Sequence, residues 1–296
     1  MVGFEDLQTF VEVADAGGLT RAAQRMGLAK SIVSRRLMRL EKTLGVQLLA
    51  RNTRGAALTE AGATLREHAA RVVTEVQAAF DAISPTDEIW GRLRVAAPLS
   101  GVTHLAPVMA DLARRYPRLE VQTSYTDHMV DLVSDGFDVA IRAGYLEDSS
   151  LVARRIAPLH AKVVASPAYL AQHGMPATPA DLVDHEALTT GADSWRFNVK
   201  GEVLIIHPTG RFKANHGQAL LSAALEGLGI AMLPDFLTTP LIASGALVQV
   251  LADYPTPDAG LYVVRLPGSQ PPRKIKALTN ILLEYFAPGP ELTAKV

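Results

Sequence analysis

Glycine sets the first constraint on this chain. Gly17-Gly18, Gly27 and Gly45 cut its opening stretch into short helical segments. Isolated helices below about 12–15 residues are marginal in water, so these segments must pack on one another. Leu7, Phe10, Val11, Val13 and Ala14 recur at helical spacing up to Gly17-Gly18,. Thr20 is a suitable N-cap for a short helix through Met26, with the small Ala22 and Ala23 on one side,. Gly27 suits the left-handed turn that ends such a helix. Leu28 reads as a buried turn residue, and a third helix starts near Ala29 or Lys30 and runs to Gly45. Two short helices joined by a glycine-containing turn, with an alanine pair that permits close approach, describe a helix-turn-helix.

Charge distribution says what such a unit would touch. The whole chain carries a net charge of −1, yet nine Lys or Arg stand against one acid, Glu41, between Leu19 and Leu58. One basic end on an otherwise acidic chain points to a nucleic-acid-binding module joined to a part with another task. In the third helix Val33, Leu37 and Leu40 form an inward stripe, which turns Lys30, Ser31, Ser34, Arg35 and Arg39 outward with Ile32 among them,. Such side chains reach base edges and phosphates in a major groove. Thr20 joins this candidate set at the start of the preceding helix. Beyond Gly45, Val46 to Leu49 is β-compatible, Arg51 to Gly55 reads as a turn, and Ala57-Leu58-Thr59 returns as a short strand. That makes a two-stranded wing with Arg51 and Arg54 at its tip, placed to contact the DNA backbone or minor groove.

The run FVEVADAGGLTRAAQRMGLAKSIVSRRLMRLEKTLGVQLLARNTRGAALTEAG resembles the N-terminal signature of the LysR family of bacterial transcriptional regulators. The likeness covers the helix pair, the VSRRL core of the recognition helix, the LE-x-x-LGVQLL exit and the R-x-x-R-x-x-x-LTEAG wing. Lys30 stands where the family often has Gln, which bears on operator preference. Leu49-Ala50 replaces a frequent Leu-Phe, which is a packing change.

From Thr59, a cap, to Ser84 the helical pattern is broken by nothing except Gly62 in its first turn. Leu65, Ala69, Val72, Val76, Ala79 or Phe80, and Ile83 repeat at heptad-like spacing, and such a seam must be buried. It can pack on its own wing domain or on the same helix of a second chain; the resemblance implies the second, in a homodimer or homotetramer. Ser84-Pro85-Thr86 ends the helix as a hinge. The expected division is 1–60 for a winged helix-turn-helix, 61–88 for a linker helix and hinge, and 89–296 for an effector-binding domain.

After Arg92, short apolar strands alternate with amphipathic helices, the pattern of an α/β architecture with largely parallel sheets,. A short helix is expected over Met129 to Ser134. The motifs PLSG, FDVAIRAG and GRFKANHGQALLSAALEGLGIAMLPDF resemble the family's sensor half. The resemblance implies two Rossmann-like lobes related to periplasmic solute-binding proteins, lobe I about 89–162 and 266–296 and lobe II about 163–265. Crossovers are then expected near His160–Ala165 and Val264–Pro267.

Ligands of open α/β sheets sit beyond the carboxyl ends of strands, where helix N-termini offer free backbone donors. That rule selects Leu99, Ser100 and Gly101 after the first strand, Thr126 beside Asp127 after the second, and Arg142, Ala143 and Gly144 ending the third. From the other lobe it selects Asn215 and His216 before a helix. Amides beside Ser100 would favour a carboxylate or other anion. Ser100 and Asn215 can equally be helix caps, Arg142 an ion-pair partner, and Trp195 a packing residue rather than a pocket wall.

Enzyme chemistry has no motif here. Gly227-Leu228-Gly229 follows a helix and precedes a strand, the reverse of a phosphate loop. No G-x-S-x-G elbow is present, and the eight histidines show no zinc-helix spacing,. With no cysteine, disulfides, thiolate metal sites and thiol redox switches are excluded,. No catalytic residue, metal or cofactor is expected. Without a bilayer-length apolar run or a signal peptide, a cytoplasmic location is expected, with no membrane partner. The expected partners are double-stranded promoter DNA, a small-molecule effector (a small organic acid or aromatic metabolite, as family likeness suggests) and a second copy of the chain. A solute-binding protein is the rival reading, but it would need an export signal and has no use for the basic helix pair. A regulator with a vestigial cleft is the third.

Overall fold

The computed structural model describes residues 3–52, 55–83, 88–146, 149–191, 194–268 and 270–287. Helices α1 (Phe4–Ala16), α2 (Leu19–Met26) and α3 (Lys30–Leu44) form a bundle, and each ends on a glycine in the left-handed region, at Gly17, Gly27 and Gly45. Phe10, Val13, Ala22, Val33 and Leu40 are sealed from solvent in its core. The Glu41 carboxylate accepts the Leu48 N–H at 2.8 Å, which steers the chain out of α3 and into the wing. The wing pairs β1 (Leu49–Asn52) antiparallel with β2 (Gly55–Leu58).

Helix α4 (Glu60–Ile83) follows, with Thr59 Oγ1 accepting the Gly62 N–H at 3.0 Å as an N-cap. Gly62 is required by space. A Cβ there would lie 2.0 Å from the Leu48 carbonyl oxygen, a backbone atom with no freedom to yield. Ala69 is buried in the N-terminal core with Leu65 packed against it, whereas Val72, Phe80 and Ile83 are 45%, 57% and 79% exposed. The two alternatives for the seam therefore divide along the helix: its first part is covered by its own wing domain, while beyond it Val72, Phe80 and Ile83 stay exposed within one chain although Ala78 is buried.

The remainder forms two α/β lobes. Lobe I has β3 (Gly91–Ala97), α5 (Val102–Arg115), β4 (Leu119–Tyr125), β5 (Val139–Gly144) and β6 (Val152–Leu159). Lobe II has β7 (Ala161–Ala165), α6 (Pro167–His173), β8 (Ala187–Leu188), β9 (Trp195–Val199), β10 (Glu202–Ile206), α7 (Gly217–Leu225), β11 (Ile230–Pro234), α8 (Asp235–Ala243) and β12 (Val248–Val250). The chain then returns to lobe I as β13 (Ala259–Arg265) and α9 (Arg273–Tyr285). The lobe I sheet has the order β4-β3-β5-β13-β6 and that of lobe II β12-β7-β11-β8, while β9 and β10 pair as a separate hairpin.

Three expectations need correction. The sheets are mixed rather than largely parallel: β3 runs parallel to β4 and β5, but β13 is antiparallel to both β5 and β6, because it comes back from the other lobe. The first crossing falls at His160, between β6 and β7. The second falls over residues 251–258 and not at Val264–Pro267, since Val264 and Arg265 still belong to β13. Residues 132–136 form turns instead of a helix. There the Asp131 carboxylate accepts the Val133 and Ser134 N–H groups, both at 2.8 Å, and so competes with the helical pattern,.

Candidate nucleic-acid interface and ligand cleft

Helix α3 buries Val33, Leu37 and Leu40 against the bundle. What remains outward is fixed by that choice. Lys30, Ser31 and Arg35 are exposed, Ile32 and Ser34 half-buried, and Thr20 exposed at the start of α2. Two other arginines of α3 turn back to α1. Arg36 ion-pairs with Glu5 and donates to Thr9 Oγ1 at 3.4 Å. Arg39 donates from Nε to Asp6 Oδ2 at 2.9 Å and makes a second bond to Oδ1, with 54% of its side chain still exposed. Thus the structure places Arg39 in a bidentate structural pair at the edge of the candidate surface. Arg51 lies in β1 opposite Ala56; its side chain and the whole of Arg54 lie outside the described residues.

A cleft separates the lobes, and its volume of 1920 Å³ includes a groove reaching Arg66 and Glu67 of α4. Ser100, Thr126, Arg142, Ala143 and Gly144 line it from lobe I, and Trp195 and Asn215 from lobe II. Leu99 and Gly101 flank Ser100 in the short 3₁₀ turn that leads into α5. Trp195 contributes an edge only: it is 3% exposed and packs in the lobe II core with Phe197. Arg142 donates from Nη2 to the Val130 carbonyl at 2.9 Å and from Nη1 to Met129 Sδ at 2.6 Å, so both ends of its guanidinium are already engaged.

The anion seat expected beside Ser100 is taken by the chain itself. Asp127 Oδ1 accepts the Ser100 N–H at 3.3 Å and the Ser100 hydroxyl at 3.4 Å. From the opposite lobe His216 caps α7, its Nδ1 accepting the Gln218 N–H at 3.3 Å. That bond leaves Nε2 as the protonated ring nitrogen of a neutral imidazole, and Nε2 stands 3.9 Å from Asp127 Oδ2. Elsewhere the Arg196 guanidinium lies over the Tyr145 ring, 4.6 Å from its centroid, while the Tyr145 hydroxyl donates to the Pro257 carbonyl at 2.9 Å. Burial raises the Tyr145 phenol above its ordinary pKa, so it remains a neutral donor. The lobes therefore touch through the His104–Phe236 ring contact and Tyr145–Arg196, and approach each other at Asp127–His216.

Asp127, Tyr145 and Arg196 were not singled out by sequence reasoning. Asp127 sits beside the selected Thr126. For Arg196 a signal existed in strand alternation: Trp195 and Phe197 are both buried, so Arg196 must face the other way,. Tyr145 has no comparable signal. No group of three His, Asp or Glu side chains able to hold a metal occurs among the described residues, and no helix among them is long and apolar enough to cross a membrane.

The Arg39–Asp6 pair gives a pH prediction. Hydrogen bonding from Arg39, then from the Gly3 amide, holds the Asp6 carboxyl below its ordinary pKa despite burial. A depressed folded-state value adds stability that is complete above the unfolded value of about 3.9 and is lost as pH falls through the lower folded one. Asp6→Asn should be less stable than the parent at neutral pH, with the difference shrinking below about pH 4. Urea unfolding at a series of pH values measures this; parallel profiles would contradict it.

Residues 4–63 match the family described as bacterial regulatory helix-turn-helix protein, lysR family, and residues 86–287 match the LysR substrate binding domain. The chain is 38% identical over 256 residues to the HTH-type transcriptional regulator CrgA of Neisseria meningitidis, covering 84% of this chain and 85% of that one. It is 35% identical over 293 residues to PtxR of Pseudomonas aeruginosa, covering 96% and 93%. Among solved structures, that of CrgA from Neisseria meningitidis aligns with a TM-score of 0.55 at 34% identity, covering 95% of this chain and 98% of that chain. The full-length structure of the Vibrio cholerae virulence activator AphB aligns with a TM-score of 0.57 at 28% identity, covering 96% and 99%. These relatives are transcriptional regulators, and theirs is not an enzyme family. The chain belongs to the LysR family of DNA-binding transcriptional regulators, with a helix-turn-helix unit and an effector-binding domain.

Proposed function

We propose that the chain is a cytoplasmic, oligomeric regulator that reads promoter DNA through the exposed face of α3 and answers to a small organic acid or aromatic metabolite held between its lobes. The observation that carries this reading is the split character of α3, an apolar stripe sealed in the core and Lys30, Ser31 and Arg35 exposed on the outside. Lys30, Ser31, Ile32, Ser34 and Arg35, with Thr20 on α2, face the major groove. Arg39 contributes only the exposed flank of a guanidinium bound to Asp6, and Arg51 and Arg54 hold the backbone from the wing.

Dimerisation through α4 would cover the exposed Val72, Phe80 and Ile83 and present two recognition helices to a pseudo-palindromic site,. Pairs of dimers make the tetramer.

In the cleft, Ser100, Thr126 and Arg142 face Asn215 across the gap, with His216 at the rim. An incoming carboxylate competes with Asp127 for the Ser100 donors. Once displaced, Asp127 is free to approach His216 Nε2, and the lobes are drawn together. A ligand acting this way binds the closed arrangement more tightly than the open one, as any population shift demands.

The test uses an operator recovered by selection from random duplexes. Arg35→Ala should cost about 1–3 kcal/mol on that site, roughly 5- to 150-fold in affinity, and parental affinity should fall steeply between about 50 and 200 mM salt. Unchanged affinity would remove Arg35 from the reading set. Ser100→Ala combined with Asn215→Ala should abolish the response of DNA binding to a metabolite extract while leaving effector-free affinity within about twofold, since neither residue touches DNA. A retained response would overturn the cleft assignment, and a parent without any response would favour a vestigial cleft.

A further inference from the structure

The acidic side of α1 is held by the sensor's own lobe I through a half-buried cluster of charges around the buried Arg66. Arg92 and Arg94 alternate with Leu93 and Val95 along β3, so the apolar pair enters the lobe I core and both guanidinium groups leave by the other face. Arg92 makes a two-pronged ion pair with Glu12, at 3.1 and 2.8 Å, and Glu12 also lies 3.5 Å from Arg25. One turn along α1, Asp15 Oδ1 accepts from Arg66 Nε of α4 at 3.1 Å, while Arg94 Nη1 stands 3.6 Å from Asp15 Oδ2. The side chains of Arg66 and Asp15 are only 5% and 11% exposed.

Two further observations set this cluster apart from a surface ion pair. Arg94 Nη1 is a buried nitrogen with no hydrogen-bond partner among the described residues. Burial lowers the Arg94 pKa, against the opposing pull of Asp15. The second is Gly136, with φ of +70°. A Cβ there would lie 2.3 Å from Arg94 Nη1, 2.9 Å from Arg66 Nη2 and 2.9 Å from Asp15 Oδ1, so the backbone closes directly over the three charges. Buried ionic groups that lack full compensation cost stability, and their best-attested use is to fix one arrangement against others.

The cluster is tied into the sheet behind it. The Arg94 N–H donates to Asp138 Oδ2 at 2.8 Å, and Lys274 of α9 bridges Asp138 Oδ1 at 2.8 Å and the Arg92 carbonyl at 2.7 Å. Asp138 immediately precedes β5, which carries Arg142 toward its other end; β3 likewise leads to Ser100. Ser100 lies six positions beyond Arg94 in sequence, a reach of roughly 20 Å in extended chain.

We propose that the basic face of β3, Arg92 and Arg94, is a docking surface for the chain's own DNA-binding unit, gripping Glu12 and Asp15 of α1 so that lobe I fixes the orientation of the recognition helix. Release of this grip is the step that frees the reading head to take a second orientation. The proposal concerns the joint within one chain and stands apart from the cleft assignment.

The absence of cysteine makes the test clean. Spin labels are placed at Lys42→Cys on α3 and Asn280→Cys on α9, both exposed positions, in the full chain. The labelled protein is diluted with excess unlabelled protein so that only intrachain distances are read, without DNA or effector. The parent should give one narrow distance distribution. Arg92→Met with Arg94→Met keeps side-chain volume and leaves the Asp15–Arg66 pair intact; its distribution should at least double in width while near-ultraviolet ellipticity is retained. Should that variant fail to fold, Glu12→Ala with Arg92→Ala, at the accessible edge of the cluster, should broaden it likewise. A broad parental distribution, or an unchanged width in a folded variant, overturns the proposal; neither result would bear on operator reading or on the cleft.

Discussion

Burial of one stripe of α3 decides most of what this molecule can do. Once Val33, Leu37 and Leu40 are committed to the core with Phe10 and Val13, the helix has no rotational freedom left. The remaining side chains are sorted by geometry alone. Arg36 and Arg39 fall back on the acids of α1, and Lys30, Ser31 and Arg35 are left facing out. Fully burying each such aliphatic side chain contributes about 1.5–3 kcal/mol, several times the worth of an exposed ion pair. The apolar stripe therefore sets the orientation and the charges adapt to it.

The same logic explains why the N-terminal unit was legible from sequence. Its helices are bounded by glycines that must adopt left-handed backbone, and its apolar residues keep strict helical spacing, so local signals and tertiary demand agree,. Agreement weakens in the sensor. Residues 129–134 are expected to form a short helix, but Asp131 captures two backbone amides and makes a turn. Helix α8 carries Pro240 and little amphipathic pattern, and sequence reading passed over it. The return crossing was displaced because Leu261, Val263 and Val264 would suit either sheet; only pairing with β5 and β6 assigns them to lobe I.

For the cleft, sequence gave segments more reliably than residues. Strand ends converge on the gap as the rule for open sheets requires, which brought Ser100, Thr126, Arg142 and Asn215 to one cavity,. The electrostatics inverted the expectation, because the Ser100 amide already faces a carboxylate, that of Asp127. No periodicity could show that an acid one position beyond Thr126 folds back onto a turn 27 residues earlier. Charges that reach across elements, here and in the Glu12 and Asp15 cluster, are set by tertiary approach and become visible only with the fold.

On the proposed function, the outward face of α3 reads particular duplex sequences and is used twice by an oligomer. Genome-wide mapping of the DNA bound by the chain addresses that claim most directly. It predicts a sparse set of promoter fragments sharing a partial dyad, with half-sites one helical turn of about 10–10.5 base pairs, or a multiple of it, apart. Even occupancy of duplex DNA with no shared sequence would contradict it.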